Sequence, residues 1–179
     1  MPVQIGGKLD AGFNDPIGML TDCHRRIERF LDILCNIGEH ARDRRLTQEE
    51  TSAVQASLKY FREGGVRHTA DEEESLFPRL RSAGAQQTLS AVEHLEGEHR
   101  EADRLHANLD RLYTEWIRAG ELKAADRDTL LAGTRRLREL YADHIRAEEQ
   151  TVFPAAAQVL DPQAIAAIGE EFRVRRQAK

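Results

Sequence analysis

His68-Thr69-Ala70-Asp71-Glu72-Glu73-Glu74-Ser75-Leu76-Phe77-Pro78 and His144-Ile145-Arg146-Ala147-Glu148-Glu149-Gln150-Thr151-Val152-Phe153-Pro154 are two copies of one phrase, His-x-x-x-Glu-Glu-x-x-aliphatic-Phe-Pro. On a helix, residues four apart lie one above the other on a single face. His68 with Glu72, and His144 with Glu148, are then each an imidazole and a carboxylate aimed in one direction. Two such pairs on facing helices bring four metal ligands together. A solvated charged face would give the same letters no purpose. Hydrophobic periodicity decides between the two readings, because it places these residues on the apolar stripe.

Around the first copy, Val54, Leu58, Phe61, Gly65, His68, Glu72 and Leu76 form one inward line. Thr47-Gln48-Glu49-Glu50 is a capping box that opens this helix, and Ser82-Ala83-Gly84 closes it after Pro78 has weakened it. Gly64-Gly65 lies one turn before His68. A glycine there costs about 1 kcal/mol against alanine, so it leaves room for a ligand or a close helix, or it makes a kink. Around the second copy the line is Leu130, Thr134, Leu137, Tyr141, His144, Glu148, Val152 and Ala155, on a helix from near Asp126 to Asp161-Pro162.

Two more helices complete the set. Asp15 as N-cap and Pro16 in the first turn start one whose stripe is Leu20, Cys23, His24, Ile27, Leu31 and Leu34, ending between Gly38 and Arg45. Another runs from about Gln86 to Ala119 with Val92, Leu95, His99, Ala102, His106, Leu109, Tyr113 and Trp116 inward. Four long amphipathic helices with short connections predict an all-α, antiparallel up-down-up-down four-helix bundle. Helices two and four run the same way in it, so both copies of the phrase arrive at a similar depth. A short extra C-terminal helix, Ala164 to Phe172, packs on one end, and the basic residues after it fray. The expected divisions are a flexible segment 1–13, the bundle 14–161, and the helix and tail 162–179.

The 179 residues suit one domain with a sizeable core. A formal net charge of -5 gives no global attraction to nucleic acid or anionic membrane. No stretch reads as a signal peptide or a bilayer span. Cys23 and Cys35 would lie three turns apart on one helix, too far for a disulfide within it, and this fits a reducing cytoplasm.

Of seven histidines, His24, His68, His99 and His144 fall one on each inner stripe. With Glu72 and Glu148 they make six inward donors, and a cation would neutralise carboxylates that are otherwise costly to bury. His40 and His94 fall on outer faces. His106 shares the face of His99 but lies two turns away, which suits a core or supporting role better than ligation. Asp103, one turn past His99, could reach the same metal. Glu73 and Glu149 turn sideways, toward solvent or a supporting role, and Tyr141 is a packing or hydrogen-bonding neighbour of His144. Imidazole mixed with carboxylate suits iron, manganese or zinc, and this donor count suggests two ions bridged by the glutamates.

On these residues the chain resembles the hemerythrin-like, or HHE cation-binding, domain family. The matching positions are His24, His68-x-x-x-Glu72 with Leu76-Phe77-Pro78, Glu98-His99, and His144-x-x-x-Glu148 with Val152-Phe153-Pro154, across about 16–160. The resemblance implies a four-helix bundle holding two iron ions, a non-haem di-iron centre with an oxo or hydroxo bridge. It implies His24, His68, Glu72, His99, His144 and Glu148 as ligands, and dioxygen, nitric oxide or peroxide as the small bound partner. The oxygen carriers of that family have a second histidine on the third helix, where this chain has Leu95 and Asp103 one turn either side of His99. The departure favours sensing, iron handling or redox chemistry over reversible oxygen carriage, and the preferred expectation is a sensor, scavenger or iron handler. A di-iron redox enzyme of peroxidase or nitric oxide reductase type is the alternative, and a metal-free helical interaction module a third. Ferritin-like sites use Glu-x-x-His, the reverse order and a shorter spacing.

Overall fold

The computed structural model describes residues 10–84 and 86–177, which form five helical rods and no strand. The first helix, α1 (Pro16–His40), starts where Asp15 accepts a hydrogen bond from the Gly18 N–H at 2.9 Å. The second rod, α2, covers 48–82. The expected capping box opens it: the Glu50 N–H donates to Thr47 Oγ1 at 3.2 Å, and the Thr47 N–H donates to Glu50 Oε2 at 2.8 Å. The rod is α-helical over Gln48–Tyr60, Val66–Ala70 and Phe77–Ser82, and widens into π-helical turns over Phe61–Gly65 and Asp71–Leu76. Helix α3 is Gln86–Ala119. The fourth rod, α4, covers 124–159, with α-helix at Ala124–Ala147 and Phe153–Val159 either side of a π turn at Glu148–Val152.

These four rods pack as the expected all-α bundle, with α1 along α2 and α4, and α3 along α4 and α2. Gly84 and Gly120 take positive φ of 68° and 84° in the reversals before and after α3, a conformation closed to most other residues.

The repeated phrase carries its own π turn. Pro78 and Pro154 have no N–H to give and their rings crowd the carbonyl four residues back. The ladder slips by one residue just upstream in both copies: the Phe77 N–H donates to the Glu72 carbonyl, and the Phe153 N–H to the Glu148 carbonyl. The slip explains one departure from the sequence reading. A plain α period puts Ala155 inward, whereas Ala156 is the fully buried residue, because the extra residue in the turn advances the phase.

The C-terminal helix α5 (Pro162–Gln177) extends beyond the expected Phe172. Its basic end is held rather than frayed. Arg175 and Arg176 both pair with Asp71 on α2, the latter at 2.6 Å, and Asp71 is fully buried. Ile168 and Phe172 of α5 close one end of the core. Gly169 lets the chain pass at Phe13, where a Cβ would sit 1.8 Å from the Phe13 carbonyl oxygen. Of the segment expected to be flexible, residues 1–9 lie outside the described ones; beyond them the Ala11 N–H donates to Asp22 at 2.6 Å.

The apolar interior has two parts. One is built on Ile27, Leu31, Phe61, Ala102 and Tyr141, the other on Leu20, Leu76, Leu95 and Val152. Along every rod of the bundle the boundary between them falls at a histidine, a glutamate or both. A polar layer therefore crosses the bundle between two apolar plugs.

Candidate metal centre

That layer contains all six residues singled out in the sequence. His24, Glu72 and Glu148 have no exposed surface, and His68, His99 and His144 are at most 3% exposed. Their donor atoms fall into two groups, each within 4.8 Å. His24 and His68 meet Glu72 and Glu148 in one; His99 and His144 meet the same two glutamates in the other. The carboxylates are thus shared. Glu72 Oε1 lies 3.1 Å from His68 Nε2, and its Oε2 lies 3.3 Å from His99 Nε2. Glu148 Oε2 lies 3.0 Å from His24 Nε2 and 3.5 Å from His144 Nε2.

Three further carboxylates orient the imidazoles from behind. Nδ1 of His99 is 2.8 Å from Glu73, Nδ1 of His24 is 2.9 Å from Glu149, and Nδ1 of His144 is 3.0 Å from Glu98. An ionised carboxylate only accepts, so each of these Nδ1 atoms donates to its carboxylate and Nε2 is the ring atom turned to the centre. Carboxylates behind histidine are the usual support of metal-bound imidazole. His68 lacks such support: its Nδ1 is buried without a partner.

The two copies of the phrase act as equivalent arms. In the first, Glu73 holds His99 while Phe77 stacks on the same ring at 6.2 Å. In the second, Glu149 holds His24 while Phe153 stacks on it at 5.4 Å. The sideways glutamates are therefore neither ligands nor merely solvated. The sign of this in the sequence is their identical offset from His68 and His144.

The electrostatics call for neutralisation, by protons or by a cation. Both oxygens of Glu72 and of Glu148, and Nε2 of His24 and of His68, are buried without a hydrogen bond. Each orphaned group costs about 1–3 kcal/mol, more when charged. Nε2 of His99 and of His144 sit 3.2 Å apart, which two lone pairs tolerate only with a proton or a cation at hand. With protons alone, the layer divides its charge unevenly. Burial opposes ionisation of Glu148, but His144 outweighs it and holds the carboxyl well below its usual range. Burial likewise opposes protonation of His144, yet Glu148 lifts it to about 10. Glu72 is pushed far up by burial, with the Glu148 charge adding to it, and burial drives His68 well down. A bound cation would replace this proton arrangement. The residues present fit one, with imidazole nitrogens and carboxylate oxygens suited to iron, manganese or zinc.

Asp103 is not drawn in. The inner face of α3 continues from His99 through Ala102 and His106, so Asp103 lies on the exposed flank and in neither donor group. His106 is also outside both groups; it packs on Phe61 at 4.5 Å, and its Nε2 lies 3.2 Å from the Tyr141 hydroxyl. A cavity of about 50 Å³ is lined by Gly65, Thr69, Asp103, His106 and Tyr141, and the Tyr141 ring meets that of His144 edge-on at 6.0 Å. Gly65 faces this space, while a Cβ on Gly64 would lie 2.8 Å from the Tyr60 ring; no neighbouring rod accounts for either glycine. Both belong to the first π turn of α2. Cys23 and Cys35 are free, buried thiols.

The family described as the hemerythrin HHE cation binding domain matches residues 15–156, a span that contains all six donors. An uncharacterized protein of Haemophilus influenzae is also similar, 30% identical over 169 residues that make up 94% of each chain.

Proposed function

This chain belongs to the hemerythrin HHE cation-binding family, and from that premise we propose that its six clustered side chains hold two iron ions and a small ligand. The reading rests above all on the buried layer whose orphaned donor atoms fall into two groups sharing Glu72 and Glu148. His24 and His68 would hold one ion, His99 and His144 the other, and the two glutamates would bridge them. Iron there would supply one-electron redox chemistry and an exchangeable position for dioxygen, nitric oxide or peroxide.

The surrounding residues suit a ligand of that size. The cavity at Gly65, Thr69, His106 and Tyr141 has room for a few atoms and no more. The apolar plugs exclude bulk water, and Glu73, Glu98 and Glu149 hold the rings in place. With one histidine of α3 in the layer, the centre has fewer protein ligands than an oxygen carrier, which suits sensing, scavenging or iron handling. No helix among the described residues is long and apolar enough to cross a membrane, and the two unpaired thiols suit a reducing cytoplasm.

A second reading, a redox enzyme of peroxidase or nitric oxide reductase type, draws on the hydrogen bond between Tyr141 and His106 at the cavity wall. Turnover of peroxide or nitric oxide well above that of free iron would favour it.

Anaerobic loading with Fe(II), followed by metal analysis and air, tests the main reading. Two irons per chain and new visible absorption are expected, both lost in His68→Ala with His144→Ala. Two irons retained by that double variant would reject the site.

A further inference from the structure

Away from the metal centre, a cavity of about 440 Å³ opens between α1, α2 and α5. Arg26 comes to it from α1, Lys59 and Arg67 from α2, and Arg176 from α5. Four cations thus converge in a chain whose net charge is -5, and Glu63 is the one carboxylate on the wall. The three arginines are half-buried. Arg26 is matched by Asp10 at 2.8 Å and Arg176 by Asp71 at 2.6 Å, whereas Arg67 and Lys59 make no ion pair among the described residues.

Like charges gathered in a concavity repel one another, and low-dielectric walls focus their field on whatever enters. Surface lysines and arginines relieve such repulsion by spreading into solvent; arginines held half-buried on three separate helices have less freedom to do so. Guanidinium groups also present forked donors that match phosphate oxygens two at a time. The thiol of Cys23 on the same wall is buried, and Arg26 donates to its Sγ at 3.5 Å. Tyr60 lends a ring and donates its hydroxyl to the Cys23 carbonyl at 3.3 Å, which fixes that wall.

We propose that this cavity is a binding site for a small phosphate-bearing anion, recognised by Arg26, Lys59, Arg67 and Arg176. Binding is electrostatic and reversible. The site is separate from the metal layer, but Cys23 and Arg67 directly precede His24 and His68 in the chain.

Calorimetric titration of the metal-free protein with inorganic pyrophosphate tests this. One saturable site, weakened by added salt, is expected. Arg67→Ala and Lys59→Ala remove side chains with no ion pair in the fold, so these variants should stay folded, which circular dichroism checks. Together they should weaken pyrophosphate binding about tenfold or more. Arg62→Ala, a surface arginine paired with Asp110 outside the cavity, should bind as the unaltered chain does. Absence of saturable heat up to about 10 mM pyrophosphate, where binding would be worth under ~3 kcal/mol, would overturn the proposal. Equal binding by the Arg67→Ala, Lys59→Ala double variant would do the same.

Discussion

At the scale of single residues, the donors were legible because burying a charge has so few explanations. A histidine or glutamate in line with leucines must be paired, neutral or bound to a cation. A supporting role for Glu73 and Glu149 was legible beside a solvated one, but not which ring they or Glu98 support, since periodicity says which way a side chain leaves its own helix and not which ring it meets on the next. The structure makes that role testable. Glu149→Gln, Glu73→Gln or Glu98→Gln should each speed metal loss to a chelator, with affinity lowered roughly 10–100-fold while all six donors remain. Unchanged retention in all three would show the carboxylates to be incidental. His68 lacks a carboxylate at Nδ1, so the His24–His68 half should release its ion before the other half. Stepwise chelation followed by anomalous scattering would reveal the order. His106 gives a pH prediction. Burial lowers its pKa to about 4, so the unfolded chain takes up the proton first as pH falls. Its contribution to stability is whole above the ordinary value near ~6.5 and is lost as pH drops toward about 4, amounting to roughly 3 kcal/mol. Urea denaturation of His106→Gln should therefore show a shallower loss across that window; an identical slope would contradict the assignment.

Helix boundaries are set by local chemistry, which is why Asp15, Pro16 and the capping box at Thr47 could be read directly. The π turns are a different matter. One extra residue in a turn alters no composition and no cap, and the only cue was a proline following phenylalanine in both copies. That omission put Ala155 inward where Ala156 belongs. Pro78→Ala and Pro154→Ala should restore the missing N–H and relax both slips. The expected result is a folded, equally helical chain that holds metal less tightly, because Glu72 and Glu148 sit in those turns. Unaltered metal affinity would show that the turns have another cause. The length of α5 was underestimated because the partner of its basic end is remote in sequence: Asp71 lies 104 residues before Arg175. Asp71→Asn leaves two arginines facing a neutral amide and should destabilise the fold by about 3 kcal/mol in urea. A change below ~0.5 kcal/mol would make the clamp dispensable.

Across the whole molecule, the polar layer separates two apolar plugs, so the bundle is held together at its middle by whatever neutralises Glu72 and Glu148. Periodicity gave the rods and their order, and the matching direction of α2 and α4 gave the shared depth of the two copies. A ligand that binds only the folded chain stabilises it by mass action. Free metal at about a hundred times its Kd should then add ~2.7 kcal/mol and raise the Tm by about 5–10 °C relative to chelated protein. The most direct test of the central claim is anomalous scattering at the iron edge from a crystal of iron-loaded protein. The account predicts two peaks inside the layer, one against His24 and His68, the other against His99 and His144, with Glu72 and Glu148 between them. A single peak, or peaks only at the surface, would contradict it.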